Sequence, residues 1–238
     1  MKKKVLTLAL VVALIAIMVT GTLAYFTAGD EVTNTFTIGS VKIEIYENDE
    51  ATDSDTISFG KLTPVVSDVP SEDTNYFDKV VDVKNIGANN AYIRTHIAVP
   101  TALVDYLALD LTTTGWSQLD STTAVVDSVA YTVYTYDHLE AVEPGAFTTE
   151  LLQGAYLKSN VDLEENADGD MVFILRDASG NKTATSSFVA HTKNADGSYT
   201  SATVNILIAS QAIQTEGFTA GATSALNSGF GENTNPWQ

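Results

Sequence analysis

The chain has 238 residues, no cysteine, and 12 Lys plus Arg against 30 Asp plus Glu, for a net charge of −18. Such a surface repels nucleic acid and anionic lipid, favours solubility, and leaves divalent cations as the ions it attracts. With no cysteine a disulfide-stapled scaffold is excluded, and a chain of this length buries a large core without one.

Taken in chain order, Lys2-Lys3-Lys4 comes first, followed by an apolar run from Val5 to Val19 and then Thr20-Gly21-Thr22-Leu23-Ala24. A basic start, an apolar segment and small residues at Thr22 and Ala24 make a secretion signal. The run is short of the ~20 residues needed to cross about 30 Å of hydrocarbon. Cleavage after Ala24 is therefore expected, giving a mature chain that begins at Tyr25, and the membrane is a partner of the precursor alone. Loss of the three lysines takes the net charge to −21. The expected organisation is a signal peptide over 1–24, an N-terminal extension over 25–39, and one β-sandwich domain over 40–238. A secreted chain without cysteine fits a Gram-positive or archaeal surface better than a eukaryotic secretory route.

The junction Thr22-Leu23-Ala24-Tyr25-Phe26-Thr27 is followed by Asn34-Thr35-Phe36-Thr37-Ile38-Gly39 and the alternating Val41-Lys42-Ile43-Glu44-Ile45. This stretch resembles exported proteins processed by the SipW-type signal peptidase, the TasA and camelysin group of Gram-positive bacteria. The resemblance implies that peptidase as a partner during export, and a biofilm matrix fibre or cell surface as the destination.

Residues 35–46 alternate, with Phe36, Ile38, Val41, Ile43 and Ile45 apolar and a phase shift at Gly39-Ser40, which predicts a strand with a bulge or kink. Residues 47–56 are acidic and aperiodic and read as a loop. Ile57-Ser58-Phe59 is a short strand, and Lys61 to Asn75, with Pro64 and Pro70, is irregular. From Tyr76, the residues Phe77, Val80 or Val81, and Val83 predict a strand that ends in the turn-rich Lys84-Asn85-Ile86-Gly87-Ala88-Asn89-Asn90. Ala91 to Pro100 alternates throughout and is dominated by β formers. A strand ending in Lys-Asn-x-Gly and running into a second strand closed by Pro is similar to the same exported family.

Leu103, Tyr106 and Leu107 are spaced i, i+3, i+4, so residues 101–109 read as a short helix opened by Thr101. Strand returns over Trp116 to Leu119 and Thr123 to Tyr136, with Tyr134 and Tyr136 on one face and Tyr131 on the other. Glu143-Pro144-Gly145 is a turn, and Phe147 to Leu157 is ambiguous. Met171 to Leu175 and Thr203 to Ile208 are short buried strands. Asn166-Ala167-Asp168-Gly169 and Asn194-Ala195-Asp196-Gly197 are two copies of one hairpin turn. The end, Ile213-Gln214-Thr215-Glu216-Gly217-Phe218 followed by Ala220 to Leu226, also resembles the family, whose members close with a strand, a Gln-x-x-Gly-Phe step and a short Ala-rich helix. The sum is nine or ten strands and one or two short helices: an all-β, jelly-roll-like antiparallel sandwich.

No chemistry stands out. His96, His138 and His191 are dispersed and none belongs to an HExxH helix, although camelysin has been described as a metallopeptidase, which keeps that reading as a third possibility. There is no cysteine and no G-x-S-x-G elbow. Glu164, Asn166, Asp168, Gly169 and Asp170 mimic the first half of an EF-hand loop, but Leu175 occupies the twelfth position, where a bidentate carboxylate belongs. Asp49, Glu50, Asp53 and Asp55 form a second acidic cluster, read as a solvated loop. The expectation is therefore no enzyme, no cofactor and no metal.

The favoured function is a secreted structural subunit of a matrix fibre or surface filament, whose partners are copies of itself or related subunits. Tyr25 to Asn34 precede the first regular strand, with Tyr25 and Phe26 at the tip and Val32 and Phe36 among the following β formers. An extended tail of this kind adds to an exposed sheet edge of a neighbour, and contacts that do not close into a ring give filaments. Fibres of the resembled family are thought to assemble in this way. The opposing expectation is a tail folded back on its own domain. The rival class is a monomeric adhesin or carbohydrate-binding module on a jelly roll. With no sortase-type motif or apolar tail after Trp237, covalent wall anchoring is not expected.

Overall fold

The computed structural model describes residues 27–30, 41–52, 56–59, 63–232 and 234–237. The signal segment with Thr22 and Ala24, and the residues Tyr25, Phe26, Val32 and Phe36, lie outside the described residues.

The alternation in residues 77–100 becomes two strands, β5 (Phe77–Asn85) and β6 (Ala91–Pro100), that lie in different sheets. The turn between them is built on Asn85, which is fully buried. Its Nδ2 donates to the carbonyls of Asn89 and Val142, both at 2.8 Å, and its Oδ1 accepts the Gly87 N–H at 3.0 Å. The Lys-Asn-x-Gly signature is thus a crossing point between sheets, where one buried amide ties together the backbone of the turn and of Val142, which also bridges Ala91.

The first sheet centres on β6. On one side it pairs with β16 (Val204–Gln214) and on the other with β10 (Val129–His138). β10 carries β8 (Trp116–Gln118) and β9 (Thr122–Val126) on its far edge; β16 carries β1 (Thr27–Asp30) and β4 (Thr56–Phe59) on its own. The second sheet runs β3 (Glu50–Thr52), β2 (Ile43–Glu47), β5, β11 (Leu152–Leu157), β7 (Leu107–Leu111). The third runs β12 (Val161–Glu165), β13 (Met171–Arg176), β14 (Lys182–Lys193), β15 (Tyr199–Ser201). All pairings between these strands are antiparallel, and the architecture is an all-β sandwich.

One buried cluster joins the sheets. The first sheet supplies Ile93, Ile97, Val99, Tyr136, Ile206 and Ile208; the second supplies Ile43, Ile45, Val81, Val83, Leu152 and Leu157. Phe173 and Ala190 of the third sheet join the same cluster, and Phe173 stacks on Phe188 at 6.1 Å. Each fully buried aliphatic side chain contributes about 1.5–3 kcal/mol of transfer free energy. Tyr134 and Tyr136 face this core while Tyr131 faces the opposite side, as alternation requires.

Several local expectations are corrected. Residues 47–56 are not all loop: β2 and β3 form a hairpin through Asn48-Asp49, whose φ values of +49° and +68° suit a type I′ turn. Residues 53–55 lie outside the described residues. The stretch expected as one strand over Thr123 to Tyr136 is split the same way at Asp127-Ser128, with φ of +49° and +68°. Residues 101–109 are not a helix. Thr101–Leu103 forms one 3-10 turn, and Leu107 already opens β7. Thr101 Oγ1 bonds to Thr132 Oγ1 at 3.1 Å instead of capping. One turn of helix is too short to compete with sheet pairing to β11, and Leu103 and Tyr106 bury themselves from the turn. Among the described residues the one α-helix is α1 (Ala222–Phe230), in the Ala-rich segment near the end.

The two Asp-Gly turns are hairpins, and Asp177-Ala178-Ser179-Gly180 makes a third of the same build. In each, a Gly at φ between +83° and +87° follows the turn, the position where a side chain would be strained. The strands number sixteen among the described residues, beyond the nine or ten expected: β3, β14 and β15 are polar and largely exposed and carry no alternation to read, β7 stands where a helix was expected, β9 is split from β10, and β1 is a short strand without alternation.

Candidate functional site

The outer edge of β16 is where the N-terminal extension meets the sandwich. β4 lies opposite Val204–Leu207, and β1 lies opposite Ser210–Ile213, with Thr27 facing Ile213 and Asp30 facing Ser210. Both run antiparallel to β16, so the edge is completed by two short strands laid end to end. β1 is the part of the 25–39 extension that is described, and it pairs with its own chain. Its sequence is Thr-Ala-Gly-Asp, in which Ala, Gly and Asp are poor β formers, and four residues offer few ladder bonds. At about 0.5–1.5 kcal/mol net per hydrogen bond, backbone pairing holds this strand weakly.

The seat itself was not legible beforehand. The expected strand stopped at Ile208, whereas β16 continues through Ala209-Ser210-Gln211-Ala212-Ile213-Gln214. Its polar groups are satisfied by neighbours. Ser210 Oγ and Thr95 Oγ1 bond at 2.9 Å on the inner face, and Gln211 Oε1 accepts from His96 Nε2 at 3.1 Å on the outer face.

That outer face is covered by residues 218–237. Ala222, Ala225 and Leu226 of α1 pack with Ile213, and Tyr92 and Phe218 pack beside them. Arg94, fully buried, makes two bonds to Asp137, from Nε at 2.7 Å and from Nη2 at 3.0 Å. The rest of its fork holds the helix: Nη1 donates to the Gly231 carbonyl at 2.8 Å and Nη2 to Asn227 Oδ1 at 2.6 Å. Two residues on, His96 is equally buried, with Nδ1 accepting from Thr135 Oγ1 at 2.9 Å. Burial pushes the His96 pKa down to about 4, and the nearby Arg94 charge acts in the same direction.

The three histidines do not converge on a common site. His96 sits on β6. His138, on β10, donates from Nδ1 to the Glu140 carbonyl at 2.8 Å, while Nε2 accepts the Thr149 N–H at 3.4 Å. His191 bonds Ser201 Oγ at 3.0 Å on the exposed third sheet. Among the described residues no group of three His, Cys, Asp or Glu side chains is placed to hold a metal ion. In the EF-hand-like turn, Asn166 Oδ1 accepts the N–H groups of Asp168 and Asp170, and Asp170 Oδ1 accepts that of Lys193. Glu164 pairs with Lys182 and Glu165 with Lys193, so these oxygens serve the hairpins. In the other acidic cluster, Asp49 forms the β2–β3 turn and Glu50 opens β3; Asp53 and Asp55 lie outside the described residues.

On the outer face of the second sheet, Tyr46 and Phe147 meet edge to face at 4.9 Å, and the Lys84 ammonium lies over both rings. The rings are crossed, so they do not form one flat stacking platform. Asp82 nearby has its pKa raised to about 6, by burial first and then by the charges of Glu150 and Asp49. No protein-family model matches this chain, and no curated protein matches it.

Proposed function

We propose that the chain is a secreted, non-enzymatic subunit of a biofilm matrix fibre or cell-surface filament, assembling by exchange of its N-terminal strand and related to the TasA and camelysin group. The observation that carries the reading is the seat of β1: a four-residue strand from the N-terminal extension pairs antiparallel with the β16 edge. Backbone pairing does not distinguish a chain from its copy. A seat that accepts Thr27–Asp30 in cis therefore suits the same segment of a neighbour, and such head-to-tail donation propagates without closing. Tyr25, Phe26, Val32 and Phe36 belong to the donated segment, with Phe26 and Phe36 as its candidate apolar anchors. Export by a SipW-type peptidase supplies the free N-terminus at Tyr25.

Deleting Tyr25 to Asn34 is the test. The sandwich core lies downstream, so the truncated protein is expected to fold as a monomer that forms no filaments by electron microscopy. A synthetic peptide of the deleted segment should then raise its melting temperature, because a ligand of the folded state stabilises it by mass action. Filaments of normal morphology from the truncated protein would refute strand donation. Stoichiometric zinc, with a peptidase activity lost in His96→Ala, would refute the non-enzymatic reading.

A further inference from the structure

The cover on the outer face of the first sheet is gripped unevenly. α1 is fastened by the Arg94 fork and by three buried apolar side chains, Ala222, Ala225 and Leu226. Gly231, at φ +89°, turns the chain at the end of the helix. Beyond it the hold is thinner: Thr234 Oγ1 donates back to the Phe230 carbonyl at the end of the helix, and Asn235 and Trp237 make the contacts to the sheet. Asn235 Nδ2 donates to Thr122 Oγ1 at 3.0 Å and to the Thr123 carbonyl at 3.5 Å, and Asn235 Oδ1 accepts the Trp237 N–H at 3.1 Å. Trp237 packs against the cluster of Ala98, Ala124, Tyr131, Val133 and Leu207. Its indole Nε1–H is buried without an acceptor, the one such side-chain atom among the described residues. An unpaired buried donor loses its hydration without a replacement bond, so the seat is poorly matched to its occupant. Beside the indole, edge-on at 6.3 Å between ring centroids, lies His96.

We propose that Glu232 and residues 234–237 belong to a detachable cover that acid opens, with His96 beneath Trp237 as the group that senses the proton. This does not depend on the filament reading. Each element around His96 contributes known groups. β6 supplies Arg94; β10 supplies Thr135, Asp137 and, farther along the same face, Tyr131; β16 supplies Gln211. The cover supplies Trp237 and Asn235, and its Glu232 is exposed. Only Arg94 and Asp137 are charged and buried, and the Asp137 carboxylate is already engaged by both Arg94 bonds. An imidazolium at position 96 therefore meets the Arg94 guanidinium, whose effect the paired Asp137 carboxylate offsets only in part.

The sign follows from linkage. Under the cover His96 is held neutral, with its pKa down at about 4. Uncovered, it returns toward the ordinary value of about 6.5. The closed form is therefore favoured at neutral pH and loses its advantage as pH falls through that window, by up to about 300-fold in the opening equilibrium. Opening bares the apolar strip of Ala98, Val133 and Leu207.

The experiment labels the purified protein with 5-fluorotryptophan and follows both tryptophans by 19F NMR from pH 7 to pH 4, with Trp237→Phe assigning the signals. The solvent isotope shift of the half-buried Trp237 should increase while the Trp116 resonance and the far-ultraviolet circular dichroism stay constant. In His96→Gln, the Trp237 isotope shift should stay at its neutral-pH value throughout. In Trp237→Ala, the His96 ring should titrate more than about one unit higher, the reciprocal of the same coupling. The proposal is overturned if the Trp237 isotope shift at pH 4 equals that at pH 7, if it rises only as Trp116 is exposed by unfolding, or if His96→Gln leaves the transition unchanged. Should His96→Gln not fold, the Trp237→Ala titration decides: an unshifted His96 overturns the proposal.

Discussion

Replacing Arg94 by Met tests what the buried ion pair does for the cover. Arg94 and Asp137 are both fully buried, and the guanidinium also holds Gly231 and Asn227. Met matches the length of the side chain but removes the charge, leaving the Asp137 carboxylate alone in the interior. Breaking a buried pair in this way costs about 3–5 kcal/mol. At about 2–4 °C per kcal/mol for a domain of this size, the melting temperature should fall by roughly 6–20 °C. Arg94→Met combined with Asp137→Leu should recover most of that loss, since no uncompensated charge remains. It should not restore the helix contacts, so amide exchange in Ala222–Phe230 should stay faster than in the unmodified protein. Urea unfolding of the two single variants and the double variant, with hydrogen exchange on the helix, measures both terms. A loss below about 1 kcal/mol for Arg94→Met, or a double variant no more stable than the single, would refute the assignment.

Three further outcomes follow from other sites. Asp82 prefers its proton in the fold, so stability should decline as pH rises from the ordinary carboxylate value through about 6, and Asp82→Asn should flatten that slope in urea titrations. The site is only half-buried, and solvent screening limits the effect to about 1 kcal/mol. Gly154→Ala places a Cβ 2.4 Å from the Tyr76 ring and 2.5 Å from the Phe77 carbonyl oxygen, at the bulge where β11 shifts register. Because backbone is involved, it should cost about 1–3 kcal/mol in chemical denaturation, and an unchanged midpoint would contradict the close approach. N-terminal sequencing of secreted protein should begin at Tyr25, and Ala24→Arg should trap the precursor at the membrane; intact signal in the extracellular fraction would contradict the processing site.

Alternation of apolar residues is a property of one strand, and it was enough to locate β2, β5, β6, β10 and β13 and to orient the three tyrosines of β10. Turn chemistry is equally local, which is why the Asp-Gly hairpins and the Glu143-Pro144-Gly145 turn could be read without a structure. The all-β architecture follows from those signals together. Partners are not local. That Asn85 bridges two sheets, that β1 lies on β16, and that β5 and β6 part company depend on residues far apart in the chain. Arg94 and His96 alternate with apolar neighbours and so read as solvent-facing. Only the return of residues 218–237 over that face buries them, with Asp137, Thr135, Gln211 and Asn227 as the groups that make burial tolerable. Sequence periodicity reports which side of a strand faces the core, but a second layer over the other side leaves no period to detect.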